Sequence, residues 1–161
     1  SCSRHGGAYG RRDPPQLRRW WRRLWGQEVA VAKVLVIDDD EATRGVIEEI
    51  LTRAGHVVET ASGGREGLRR ARENRFDVVL VDIIMPDVDG IETITELRER
   101  DPSLRIVAMS GSSPNSAGYL ETARMLGADA ALAKPFQKHE LEATVARLLE
   151  TAEHQGSGAK A

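Results

Sequence analysis

From Lys33 onward the chain alternates between two hydrophobic periods. Short runs rich in β-branched residues, at 33–37, 56–60, 77–81, 105–109 and 129–133, read as strands. The first, third and fourth are nearly continuous apolar text, as expected of parallel strands covered on both faces. Between them the apolar positions recur at helical spacing. Val46, Ile47, Ile50, Leu51 and Ala54 make one inward stripe, and Gly55 supplies the stop. Helices are expected at 64–74, 90–100 and 116–126, the last closed by Gly127. A final one at 137–151 turns Leu141, Val145, Leu148 and Leu149 inward. Five strand–helix units joined by short connections predict an α/β fold: a doubly wound, five-stranded parallel sheet in three α/β/α layers.

The chain has 161 residues, room for one ordinary domain. Its net charge of −2 conceals a division. Residues 1–32 carry +5, from seven arginines against Asp13 and Glu28, and hold all three tryptophans. The remainder carries −7, from sixteen basic and twenty-three acidic side chains, a poor balance for binding nucleic acid through its phosphates. The expected organisation is a basic Trp/Arg-rich leader at 1–28, a folded domain at 29–153 and a disordered polar tail at 154–161. Within the leader, Leu17, Trp20, Trp21, Leu24 and Trp25 with interspersed arginines predict a short amphipathic helix after Pro14 and Pro15. Such a helix suits an anionic membrane surface, a partner groove or nonspecific nucleic-acid contact. The sequence begins without Met, and a start near Val29 or Val31 would still give a whole domain, so a non-native leader is the competing expectation. The single cysteine, Cys2, cannot form an internal disulfide, no apolar run could cross a bilayer, and a cytoplasmic setting is expected.

Candidate chemistry gathers where the strands end. In an open parallel sheet, ligands bind beyond the carboxyl ends of the strands. Strand one exits into Asp38, Asp39, Asp40 and Glu41, strand three into Asp82, strand four into Ser110, and strand five into Lys134 and Pro135. Crowded carboxylates raise one another's pKa unless a cation sits among them, and Mg²⁺ takes carboxylate oxygens readily. Adding an ammonium and a hydroxyl makes a site suited to a phosphoryl group, with an aspartate as nucleophile. Taken singly, Asp38–Glu41 would pass for an acidic helix cap and Asp82 for a turn residue. The Asp87-Val88-Asp89-Gly90 stretch superficially resembles a phosphatase or calcium loop but has neither the position nor the further ligands, and it reads as a helix-capping turn. His56 is assigned no chemistry.

The segments VLVIDDDEATR, DVVLVDIIMPDVDGIE, IVAMSG and ALAKPF, in that order, resemble the receiver domain of bacterial response regulators. The resemblance covers about residues 33–150. It implies a flavodoxin-like sheet of order 2-1-3-4-5. Asp82 would accept a phosphoryl group from a sensor histidine kinase or a histidine phosphotransferase. Mg²⁺ would be held by Asp38, Asp39, Asp82 and the backbone carbonyl of Ile84. Ser110 would hydrogen-bond the phosphoryl oxygen, Lys134 would pair with it, and the Lys134–Pro135 bond would be cis. The family's switch aromatic, three residues before the lysine, is Ala131 here, and two residues beyond Asp82 the side chain is the apolar Ile84. The expected protein is a stand-alone receiver without a DNA-binding domain, signalling by contact with a downstream protein target. A degenerate receiver serving as a constitutive binding module is the alternative that Ala131 favours.

Overall fold

The structure, a computed structural model, describes residues 31–86, 88–111 and 114–155. The leader and residues 156–161 lie outside these, so the amphipathic helix is not among the described elements; His154 and Gln155, expected in the disordered tail, instead end the last helix.

The described chain alternates strand and helix throughout: β1 (Lys33–Ile37), α1 (Glu41–Arg53), β2 (Val57–Ala61), α2 (Gly64–Glu73), β3 (Val78–Asp82), α3 (Gly90–Arg100), β4 (Arg105–Ser110), α4 (Ser116–Met125), β5 (Ala130–Ala133) and α5 (Lys138–Gln155). The five strands are parallel in the order β2-β1-β3-β4-β5, so the chain steps to one side of β1 and then to the other. Alternate side chains of each strand feed opposite faces, the period-two rule of a pleated strand. Leu35, Ile37, Val79, Val81, Ile106 and Ala108 meet Leu68 of α2, Ile94 and Leu97 of α3 and Ala123 of α4. Val34, Val36, Val78, Leu80, Val107 and Met109 meet Ile47 and Leu51 of α1 and Leu141, Val145 and Leu148 of α5. Two apolar cores back to back explain why the central strands are apolar at nearly every position.

The helix ends follow local chemistry. Asp40 caps α1, accepting from the Ala42 N–H at 3.3 Å, and Asp89 caps α3, accepting from the Ile91 N–H at 3.0 Å. The second of these bears out the capping turn expected at 87–90. Gly55 (φ 95°) and Gly127 (φ 126°) adopt the left-handed conformation that ends a helix. In both places the next residue's N–H reaches back into the helix, His56 to the Leu51 carbonyl and Ala128 to the Ala123 carbonyl.

The boundaries differ from expectation at strand ends. β2 starts at Val57 because His56 belongs to the turn, where its Nδ1 accepts from the Ala32 N–H at 3.1 Å. β3 runs through Asp82, which pairs with Met109. One stripe residue is also corrected. Val46 is 55% exposed, because it sits about 100° round the helix from Ile47, at the edge of the arc that α1 buries. No described helix is long and apolar enough to cross a membrane.

Leu80 is fully buried in the central strand, against the core beneath α1 and α5. Replacing it with Ala should cost about 2–5 kcal/mol, read as a lower urea midpoint at unchanged slope. A loss below about 1 kcal/mol would mean that this core collapses onto the gap far more readily than central strands usually do.

Candidate functional site

Parallel pairing brings together side chains that lie far apart in sequence. Ile37 is level with Val81, Asp82 with Met109, and Ser110 with Ala133. Asp38, Asp82, Ser110 and Lys134 therefore stand on adjacent strands at one rim of the sheet, each at or just past its strand's carboxyl end. One carboxylate oxygen from each of Asp38, Asp39 and Asp82 falls within 4.8 Å of the other two. Asp38 and Asp82 are buried, while Asp39 is exposed at the mouth.

Lys134 bridges the two buried acids. Its Nζ lies 2.5 Å from Asp38 Oδ2 and 3.3 Å from Asp82 Oδ2. The backbone fixes its position, since the Lys134 N–H donates to the Ser110 carbonyl at 2.7 Å and the following Lys134–Pro135 bond is cis. Asp38 is fully engaged: Oδ1 accepts from the Asp40 N–H at 2.9 Å, its own N–H donates to the Ala61 carbonyl, and its carbonyl accepts from Arg44 Nη1 at 2.7 Å. Asp82 Oδ1 accepts from the Ile84 N–H at 3.1 Å. Ser110 is fully buried, and among the described residues its Oγ has no hydrogen-bond partner. A buried hydroxyl left unsatisfied is costly, so its place beside the acids marks it as a group awaiting an acceptor.

The electrostatics follow from this crowding. Burial, and then the neighbouring Asp38 charge, push Asp82 up to about 6, against the pull of Lys134 and the Ile84 N–H. Burial alone would lower Lys134, but the hydrogen bond it donates to Asp38 and the two carboxylate charges carry it upward instead. Lys134 is thus a fixed cation, while Asp82 is a desolvated carboxylate held near the point of protonation. Three converging carboxylates are a donor set for a hard divalent cation such as Mg²⁺. A desolvated carboxylate, a buried cation and a buried hydroxyl are together the kinds of group that phosphoryl transfer to a carboxylate uses.

The acidic run 38–41 sorts itself by place. Asp40 is the helix cap, which leaves Asp38 and Asp39 to converge with Asp82. Ile84 leaves its side chain 49% exposed beside the site. Ala131 is half-buried on β5 and Tyr119 is 43% exposed on α4. Sequence reasoning passed over Arg44, which pins the turn after β1 from the second turn of α1. Its position six residues beyond Asp38, on the inward side of an amphipathic helix, was the available signal.

The Asp82 shift has a direct consequence for stability. A carboxyl whose folded pKa lies above its unfolded value costs stability while ionised, and that cost disappears as pH falls through the folded pKa. In metal-free buffer at pH 7.5, Asp82→Asn should therefore be more stable than the parent by about 1–3 kcal/mol. The gap should narrow between pH 6.5 and pH 4.5, as thermal melts across that range will read. A less stable Asn variant at pH 7.5 would contradict the electrostatic picture.

Comparison with known proteins agrees with this geometry. Residues 34–146 match the family described as response regulator receiver domain. The chain is 35% identical over 126 residues to the transcriptional regulatory protein AfsQ1 of Streptomyces coelicolor, covering 77% of this chain and 54% of that one. It is 40% identical over 123 residues to the transcriptional regulatory protein PrrA of Mycobacterium tuberculosis, covering 75% and 51%. The chain thus spans about half the length of these curated relatives. Among solved structures, chemotaxis protein CheY4 of Vibrio cholerae superposes with a TM-score of 0.65 at 34% identity, covering 74% of this chain and 99% of that one. A receiver domain protein from Clostridium thermocellum gives 0.73 at 29% identity, covering 78% and 99%. Sheet order, rim chemistry and these matches converge, and the chain belongs to the response regulator receiver family of two-component signalling.

Proposed function

We propose that Asp82 is the phosphoacceptor of a two-component phosphorelay, and that the mutual approach of the Asp38, Asp39 and Asp82 carboxylates with Lys134 between two of them is the observation that carries this reading. The donor would be a phosphohistidine on a sensor kinase or a histidine phosphotransferase. An Asp82 carboxylate oxygen attacks phosphorus, the phosphorus–nitrogen bond breaks, and the imidazole leaves with its electron pair and takes up a proton. The product is an acyl phosphate on Asp82. When bound by Asp38, Asp39, Asp82 and the Ile84 carbonyl, Mg²⁺ would supply positive charge to the transferring oxygens. Lys134 would then turn from its carboxylate partners to a phosphoryl oxygen, and Ser110 would donate its uncommitted hydroxyl to another. These two contacts exist only in the phosphorylated state, so they bias a two-state equilibrium in the loops beyond β3 and β4.

With Ala131 in place of an aromatic ring, β5 carries no aromatic side chain to follow Ser110 inward, so the output would differ from an aromatic relay. Tyr119, Met125 and Leu126 leave apolar surface exposed along α4, which supports output by contact with a protein target. That output would take place in the cytoplasm. The second reading, a receiver that binds a partner constitutively without phosphorylation, rests on Ala131 alone. The fully assembled rim and the buried free hydroxyl of Ser110 favour the switch.

Incubation of the full chain with acetyl phosphate and Mg²⁺, followed by intact-mass measurement, should add the mass of one phosphoryl group to the parent. Asp82→Ala should add none, and omitting Mg²⁺ should abolish the gain. A parent that stays unmodified would support the constitutive binder instead.

The exposed apolar Ile84 offers no polar group to orient an attacking water, so the acyl phosphate should persist for minutes or longer in a radiolabel chase with Mg²⁺. Loss within seconds would show that water is positioned by other groups.

A further inference from the structure

The backbone that presents Asp82 lies against the start of α3, and the start of α3 lies against α2, each contact at a point where the helix has no side chain. A Cβ built on Gly90, the first residue of α3, would lie 2.2 Å from the Asp82 carbonyl oxygen and 2.4 Å from Ile83 Cα. Both obstacles are main chain, so no rotamer change could relieve the overlap. From the far side, a Cβ on Gly64, the first residue of α2, would lie 2.6 Å from Thr93 Oγ1 and 2.9 Å from Val88 Cβ. Thr93 is fully buried in the first turn of α3, where its hydroxyl donates to the Asp89 carbonyl at 3.1 Å. Helix α2 thus presses on the start of α3, and the start of α3 presses on the Asp82–Ile83 peptide.

Neither glycine is required by backbone conformation, since positive φ is confined to Gly55 and Gly127 among the described residues. Alanine is also the better helix former, so propensity alone would favour it at both sites. What these positions need is the missing volume. Hydrogen bonds tie the contact to the site: the Gly90 N–H donates to the Ile83 carbonyl at 3.0 Å, and the adjacent Ile84 N–H donates to Asp82 Oδ1 at 3.1 Å.

We propose that Gly90, backed by Gly64, is a positioning residue for the phosphoacceptor: its lack of a side chain lets α3 seat against the Asp82–Ile83 peptide and so holds the Asp82 carboxylate in its reactive orientation. The catalytic part of this inference rests on the function proposed for Asp82, whereas the seating of the carboxylate does not. A methyl group at position 90 drives α3 away from the peptide, and displacements of this size at a reacting group cost rate steeply.

The test uses the full chain with Gly90→Ala and Gly64→Ala, each first shown by a cooperative melt to be folded at the assay temperature. Two readouts follow: the Ile84 amide resonance in proton–nitrogen correlation spectra, and the rate of phosphorylation by acetyl phosphate at saturating Mg²⁺. Gly90→Ala should shift the Ile84 amide and slow phosphorylation by about tenfold or more. Gly64→Ala should do both more weakly, and adding Thr93→Ala, which removes the nearest atom, should recover part of the rate. If Gly90→Ala fails to fold, the Gly64→Ala pair decides by the same measures. A folded variant with the parent's Ile84 resonance and the parent's rate overturns the proposal. If the parent itself takes no phosphoryl group, the function reading fails, and the Ile84 resonance alone then decides whether Gly90 seats the carboxylate.

Discussion

Everything at the rim depends on one constraint: parallel strands deliver their carboxyl ends to the same edge, and there two buried carboxylates must share a single lysine. In water the three groups would repel or attract only weakly, because the solvent screens them. Beneath the rim, with Asp38 at 0% and Asp82 at 7% exposure, screening is reduced and the arrangement is balanced between repulsion and pairing. Lys134 offsets the Asp38 charge but not the loss of water, so burial still leaves Asp82 pushed up to about 6 while the lysine stays charged. On the proposed function, a rim with a desolvated carboxylate, a buried hydroxyl and a paired ammonium is where cation and phosphoryl group would meet. Its reactivity would come from burial that the lysine does not fully offset.

The sheet can tolerate such a rim because the rest of it is so thoroughly apolar. Strands β1, β3 and β4 are packed on both faces by helices; α1 and α3 start at aspartate caps, and α1 and α4 stop at left-handed glycines. That stability is concentrated in the layers, leaving the loops beyond the strand ends to carry chemistry, as is usual for α/β proteins. The same economy of space appears in the glycines of α2 and α3, which bring helices against backbone at the point where side chains would force them apart.

Much of this was legible in the sequence, for physical reasons that can be named. The double periodicity of residues 33–150 disclosed the layers, because buried parallel strands leave no polar alternation to confuse the pattern. The rim residues disclosed themselves through position, each charged or hydroxylated side chain standing where an apolar run stopped. Hydrogen-bonding details were not legible. Asp40 as the cap and Asp38 as the lysine's partner are distinguished only by the turn's geometry, and four adjacent acids look alike in one dimension. Val46 misled because an apolar residue at the margin of a stripe cannot be told from one inside it until the neighbouring helix is in place. Arg44, Gly64 and Gly90 were missed because their work is done on backbone atoms, which sequence patterns do not record.

The most direct test of the central claim is a calorimetric titration of the metal-stripped full chain with Mg²⁺ in two buffers of different ionisation enthalpy at pH 6. A rim of incompletely neutralised carboxylates predicts saturable uptake of one ion with release of protons, weakened in Asp39→Asn and in Asp82→Asn. Absence of saturable uptake, or uptake undiminished by either substitution, would contradict the account.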